Sequence, residues 1–294
     1  MIKSFAKKLF KLLNFLLGKF GFALRRGNSD FITDCSFLPY NVEYKSIMEN
    51  TNKMLAHINE IWSNYGKNET YWSVLTSETF LKKRLDKKNI DKFYQTGKRT
   101  LKQIENTLKR CGEWEKLNLQ DCMEYGCGVG RVTIQLANIF ENVTGLDISP
   151  GHLQLAKQRI DSVGIKNIKL QQIHSLDDLE KLPKYDFIFS VIVLQHNPPP
   201  IIVIIIEYFF KLLKKDGIVM FQVPVQIKGY SFSVTDYLEN INKYDTMEIH
   251  MIPQNVILKI AYENKCYPLE IHSDGLHGSS LYKISQTFVF KKIE

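Results

Sequence analysis

The chain has 294 residues, 44% apolar and 24% charged, with a formal net charge of +8; this suits one large domain, or one with an appended region, and permits a sizeable core. Residues 1–26 carry seven of the positive charges and no acid, which leaves +1 for the rest of the chain and excludes a global basic field for nucleic acid. The five cysteines, Cys35, Cys111, Cys122, Cys127 and Cys266, are odd in number and form no C-x-x-C, so neither a disulfide framework nor a zinc site is indicated and a reducing cytoplasm is expected.

In chain order, Ile2, Phe5, Leu9, Phe10, Leu13, Leu16, Leu17 and Phe20 recur at 3.6-residue spacing with lysines mostly opposite. That predicts a basic amphipathic helix over residues 1–26, of the kind that lies in a membrane interface. Packing of the helix on its own domain is the other reading. Lysine interrupts the stretch too often for a bilayer span. As a signal peptide it would have an apolar core of only about six residues and no small-x-small cleavage site.

Residues 27–94 read as a helical and loop extension. A helix is predicted over 43–63 from Ile47, Met54, Ile58, Ile61 and Trp62, broken by the stretch Gly66-Lys-Asn-Glu-Thr70. Tyr71 and Trp72 form an aromatic patch that either covers a ligand or packs in the core. The charge run at Lys82–Lys88 reads as a solvated face. A lead-in helix is predicted from Lys98 to Arg110, ending near Gly112.

The stretch from Asp121 to Gly130 is the most informative in the chain. Cys122 and Met123 lead into Glu124, then glycines alternate at 126, 128 and 130 before a helical pattern from Val132 to Phe140. This is strand, tight turn, helix: the glycines allow positive φ, and the helix start offers free N–H groups. The dinucleotide fingerprint G-x-G-x-x-G is not met, because Arg131 stands where its last glycine would be. Glu124 repels a pyrophosphate but suits a cation. Val143–Asp147 reads as a second strand ending in an acid that can accept from both ribose hydroxyls.

In these residues the chain resembles the class I S-adenosylmethionine-dependent methyltransferases. Glu124, Gly126, Gly128 and Gly130 match that family's first motif and Asp147 its second, over roughly residues 95–292. The resemblance implies S-adenosylmethionine as cofactor. It implies a Rossmann-like, mostly parallel seven-stranded sheet, helices on both faces, and the N-terminal extension before residue 95. An upstream aromatic often caps the donor in that family, which points to Tyr94. Arg131 and Gln195 are also assigned to the cofactor, and the place of the family's adenine-binding Asp is held by Ser175. Ser175, the Leu176 backbone or Asp177 could serve there instead.

Farther along, Ser149 and Pro150 predict a helix start and Gly164 its stop. A third strand follows at Asn167–Ile173, and a near-continuous apolar fourth strand at Tyr185–Leu194. His196, just past that strand, is the candidate general base; its other reading is a turn residue before three prolines. His250 and His277 follow as weaker candidates, and the remaining histidines read as surface or strand-end residues. A helix opened by Pro200, a turn at Lys214–Gly217 and a fifth strand at Ile218–Val223 come next. The resemblance implies that the aromatic insertion 225–250 shapes the acceptor pocket. A helix after Pro253 and a terminal hairpin make the sheet parallel but for one strand.

The function expected is methyl transfer, to oxygen of a glycan, a lipid-linked sugar or another small acceptor, by association with methyltransferases of surface-polysaccharide and lipid-linked sugar pathways. A noncatalytic binding module with the same fold is a second reading, and a NAD-binding protein a third, disfavoured by Arg131. No nucleic acid partner and no metal are expected. Peripheral contact at the inner face of a membrane is expected only through residues 1–26.

Overall fold

The computed structural model describes residues 41–276 and 283–294. The readings for residues 1–26, Cys35 and His277 lie outside these described residues. Tyr40–Glu294 is one compact unit.

Seven strands form one sheet in the order β3-β2-β1-β4-β5-β7-β6. They are β1 (Asp121–Tyr125), β2 (Asn142–Asp147), β3 (Ile168–Gln172), β4 (Tyr185–Ser190), β5 (Leu213–Ile227), β6 (Cys266–Ser273) and β7 (Lys283–Lys292). Strands β1 to β5 pair in parallel, and β7 is antiparallel to both β5 and β6. The crossover helices put apolar surface on both faces, which is why the central strands are continuous in apolar residues. All of β4 is buried.

The period-two alternation of strand side chains divides the core. Met123, Tyr125 and Ile188 point to one face, packed under α6 (Pro199–Lys211), α8 (Gln254–Glu263) and part of α1 (Met48–Asn68). Cys122, Phe187 and Phe189 point to the other, where Ile104 and Leu108 of α3 (Lys87–Arg110) and Leu136 of α4 (Thr133–Leu136) meet them. The remaining helices are α2 (Thr70–Val74), α5 (Pro150–Val163) and α7 (Val234–Glu239).

Three local expectations are corrected. Helix α3 begins eleven residues before Lys98, because Asp86 accepts a hydrogen bond from the Asn89 backbone at 2.7 Å and caps it there. Helix α1 spans Met48–Asn68 rather than 43–63: it runs past Gly66 and breaks at Glu69, within the expected stretch 66–70, and Gly66 is the close-approach point against α5. A Cβ at Gly66 would stand 2.1 Å from Ser149 Oγ, and one at Gly151 2.5 Å from the Gly66 carbonyl. Strand β4 stops at Ser190 rather than Leu194, since Ile192 takes φ 58°, a left-handed conformation outside the strand region.

Candidate functional site: a cleft over the carboxyl ends of β1, β2 and β4

The glycine turn leaves β1 with positive φ at Gly126 (75°), Gly128 (53°) and Gly130 (79°), so side chains at these positions would be strained. A Cβ on Gly126 would also fall 2.3 Å from Val193, and one on Gly128 2.9 Å from Val74. Above this turn lies an open cleft of about 850 Å³, mouth included.

Alternation places Glu124 on the α4 side of β1, at 4% exposure. Its carboxylate accepts from Thr133 Oγ1 at 2.5 Å, and burial raises its pKa to about 7 against the pull of that bond and of Arg131. Arg131 is buried too. Its Nη1 donates to Thr100 Oγ1 at 3.0 Å and Thr96 Oγ1 at 3.3 Å, while its Nε, also buried, has no partner. Burial lowers its pKa. Asp147, at the end of β2, accepts from the Gly128 N–H and the Ser149 N–H, each at 2.8 Å. It therefore pins both the glycine turn and the start of α5, and each oxygen keeps a further lone pair for a ligand.

The cleft is roofed by the segment before the sheet: Ile58 and Trp62 of α1, Ser73 and Val74 of α2. Ser73 Oγ donates to the Thr70 carbonyl at 3.0 Å and lies 2.9 Å from His152 Nε2. That leaves the buried Nδ1 of His152 without a partner, and burial holds the imidazole below its usual pKa. Ile148 and Ile173 add apolar wall beside Asp147, and Val191, Ile192 and Val193 close the β4 side.

Of the expected residues, Glu124, Gly126, Gly128, Arg131 and Asp147 are brought together in the cleft wall. Tyr94, Ser175, Leu176, Gln195 and His196 are not among its lining residues. Tyr94 lies inside α3, not before it; its ring packs at 5.4 Å from Phe93 with the Arg159 guanidinium 4.4 Å from its centre, and its hydroxyl donates to the Val129 carbonyl at 3.1 Å. It supports the glycine turn from beneath. Ser175 and Leu176 open a short 3-10 turn, with Asp178 accepting from the Ser175 and His174 N–H groups. Leu176 is buried in the core, and the residue that β3 sends to the cleft is Ile173.

His196 sits in the 3-10 turn Leu194–His196 with both nitrogens engaged. Its Nδ1–H donates to the Glu248 carbonyl at 2.8 Å, and its Nε2 accepts from the Gln195 amide at 3.3 Å. The chain continues from there: Gln195 Oε1 accepts from Gln222 at 3.1 Å, and Gln222 Oε1 accepts from the Ile192 N–H at 2.9 Å. One assignment of donors satisfies the run from backbone N–H to backbone carbonyl. Burial pushes the His196 pKa down to about 4. A buried imidazole with both nitrogens engaged has the surroundings of the turn residue, the second of the two readings.

His250 is likewise occupied, at 2.9 Å from Glu248 Oε2 and 2.7 Å from Tyr230 Oη. The insertion's aromatics pack among themselves, Tyr237 stacked on Tyr244 at 5.0 Å, and do not line the cleft. Sequence reasoning missed His152, Ser73, Trp62 and Ile173. The position of His152 in the first turn of a helix after Asp147 was a usable signal for that residue. Ser73 and Trp62 reach the site only through tertiary packing.

A glycine cradle flanked by acids at the ends of β1 and β2, at the carboxyl edge of an open α/β sheet, is a site for a nucleotide-like ligand. The chain belongs to a methyltransferase family, whose model, described as a methyltransferase domain, matches residues 118–270. It is 29% identical over 93 residues to a sterol 4-C-methyltransferase of Caenorhabditis elegans, 30% of this chain and 27% of that one. It is 31% identical over 110 residues to a tRNA/tmRNA (uracil-C(5))-methyltransferase of Campylobacter lari, 35% of this chain and 32% of that one. The matches thus span about a third or less of these relatives' lengths. Magnesium protoporphyrin IX methyltransferase from Synechocystis PCC 6803, solved with bound SAH, superposes with a TM-score of 0.53 at 19% identity, covering 80% of this chain and 99% of that one. That likeness is one of fold.

Proposed function

We propose that the protein is an S-adenosylmethionine-dependent methyltransferase acting on an oxygen of a small acceptor, with a glycan or lipid-linked sugar as the acceptor class. The observation that carries the donor assignment is the cleft's charge arrangement. Glu124 suits the donor's ammonium, the unpartnered Arg131 Nε its carboxylate, and the free lone pairs of Asp147 its ribose hydroxyls. Ile148 and Ile173 offer the adenine an apolar slot in place of the acid that the family pattern would supply.

When bound, the donor would supply an electrophilic sulfonium methyl, held by Glu124, Arg131 and Asp147, and the acceptor hydroxyl's proton would pass to bulk solvent at the open mouth of the cleft. The protein's own contribution is alignment and exclusion of water by the roof of Trp62 and Val74, worth up to about 7–11 kcal/mol in favourable cases. We further propose that residues 1–26 hold the enzyme at the cytoplasmic face of a membrane, where lipid-linked acceptors would be found.

The test is calorimetric titration with S-adenosylhomocysteine and with NADH. S-adenosylhomocysteine is expected to bind and NADH not to. Asp147→Asn should weaken S-adenosylhomocysteine about tenfold or more, the value of about 1.5–3 kcal/mol for a charge-assisted bond. Binding of NADH alone would overturn the assignment. Methyl-labelled donor incubated with a lipid-linked saccharide extract should then yield a labelled saccharide product.

A further inference from the structure

We propose that the acceptor of this methyltransferase binds in a second groove, on the α3 face of the sheet, and that this groove recognises a neutral polyhydroxylated molecule such as a sugar. The proposal rests on the donor reading above and assigns the acceptor's place and chemistry.

The groove encloses about 900 Å³, mouth included, between α3 and the upper ends of β4, β5, β6 and β7. Its polar lining includes Gln103, Asn106, Thr107, Gln222, Asp274 and Thr287. Hydroxyls and carboxamides dominate this set. The one guanidinium, Arg110, and the one imidazole, His272, both meet the Glu270 carboxylate, at 2.7 and 2.8 Å, so the guanidinium is neutralised. The Asp274 carboxylate is held by Thr287 Oγ1 and the Leu276 N–H, each at 2.8 Å. The side chains of Gln103 and Asn106 are exposed and make no hydrogen bond within the described residues, so both can donate and accept toward a ligand. With Asp274 held only by neutral donors, such a surface offers no positive charge to a phosphate or a carboxylate, but matches the alternating donors and acceptors of ring hydroxyls.

Three residues tie the groove to the donor cleft. Val191 lines both cavities. Arg131 lines the cleft and donates to Thr100, which lines the groove. Gln222 lines the groove while its Oε1 holds the N–H of Ile192, which lines the cleft. Ile192 is a β-branched residue at φ 58°, a conformation that persists only where its surroundings impose it and that marks functional positions. The two cavities thus meet at Val191 on the short β4 end, and a groove residue, Gln222, holds the turn beside it.

The experiment uses the full chain saturated with S-adenosylhomocysteine and a glucoside carrying a diazirine, photolysed and mapped by peptide mass spectrometry. Adducts are expected on residues 98–110 and on β6 and β7. Gln103→Trp, which fills the groove from an exposed helix position, should reduce them at least tenfold, with S-adenosylhomocysteine binding measured on the same samples. Adducts confined to α1 or to residues 228–250, labelling indifferent to Gln103→Trp, or bound S-adenosylhomocysteine with no adduct would each overturn the proposal. Failure of S-adenosylhomocysteine itself to bind would instead overturn the donor reading, and this one with it.

Discussion

Glu124 is a buried carboxylate in the cleft wall, and its chemistry sets how the site responds to pH. Burial raises its pKa to about 7, so below that pH the free protein holds it protonated. A ligand cation favours the ionised form. Binding therefore requires loss of that proton, and affinity must rise with pH up to about 7 and level off above it. For S-adenosylhomocysteine, whose ammonium is positive throughout this range, calorimetry from pH 5.5 to 8.5 should show affinity falling about tenfold per unit on the acid side. Glu124→Gln should flatten the profile, and a wild-type profile already flat would remove Glu124 from contact with the cation. At this scale the sequence was most legible where backbone chemistry is demanding. Gly126, Gly128 and Gly130 all need positive φ, and Glu124 and Asp147 flank them at strand ends. Trp62, Ser73 and His152 were illegible as a group, because only packing of α1 and α2 over the cleft brings them together. Tyr94 lies within α3 and under the turn for a local reason: a helix cap at Asp86 starts that helix early.

The segment after β4 is where element and site meet. Its apolar run, Val191-Ile-Val-Leu194, reads as more strand, and nothing in the period distinguishes it from β4. What ends the strand is long-range: Gln222 on β5 captures the Ile192 N–H. The amide relay through Gln195 to His196 then sets the turn. By contrast α5 was legible at both ends, since Ser149 accepts from the His152 N–H at 3.4 Å and Gly164 stops the helix at φ 74°, both local effects. If His196 is a positioning residue, His196→Ala orphans the Gln195 amide and the Glu248 carbonyl. Denaturant unfolding should then record a loss of about 1–3 kcal/mol. Formation of the labelled saccharide should fall by a similar factor at every pH between 5.5 and 9, with its pH profile unchanged in shape. A loss beyond about a hundredfold with an altered profile would restore the role of general base.

At the scale of the whole molecule, charge is divided between two regions. The catalytic unit is nearly neutral, while residues 1–26 hold Lys3, Lys7, Lys8, Lys11, Lys19, Arg25 and Arg26 and no acid. No described helix is long and apolar enough to cross a membrane. The proposed surface contact draws on two contributions of different range. Each lysine or arginine near an anionic bilayer contributes about 1 kcal/mol and is screened by salt, with a Debye length of about 8 Å at physiological ionic strength. The phenylalanine and leucine stripe contributes an apolar part that salt does not screen. Co-sedimentation with vesicles containing phosphatidylserine should therefore decline with salt to a plateau above zero for the full chain. A protein of residues 27–294 should stay in solution at every salt concentration, with S-adenosylhomocysteine binding and melting temperature unchanged. Equal sedimentation of the two proteins would refute the tether. A truncated protein that melts early would instead show that the segment packs on its own domain.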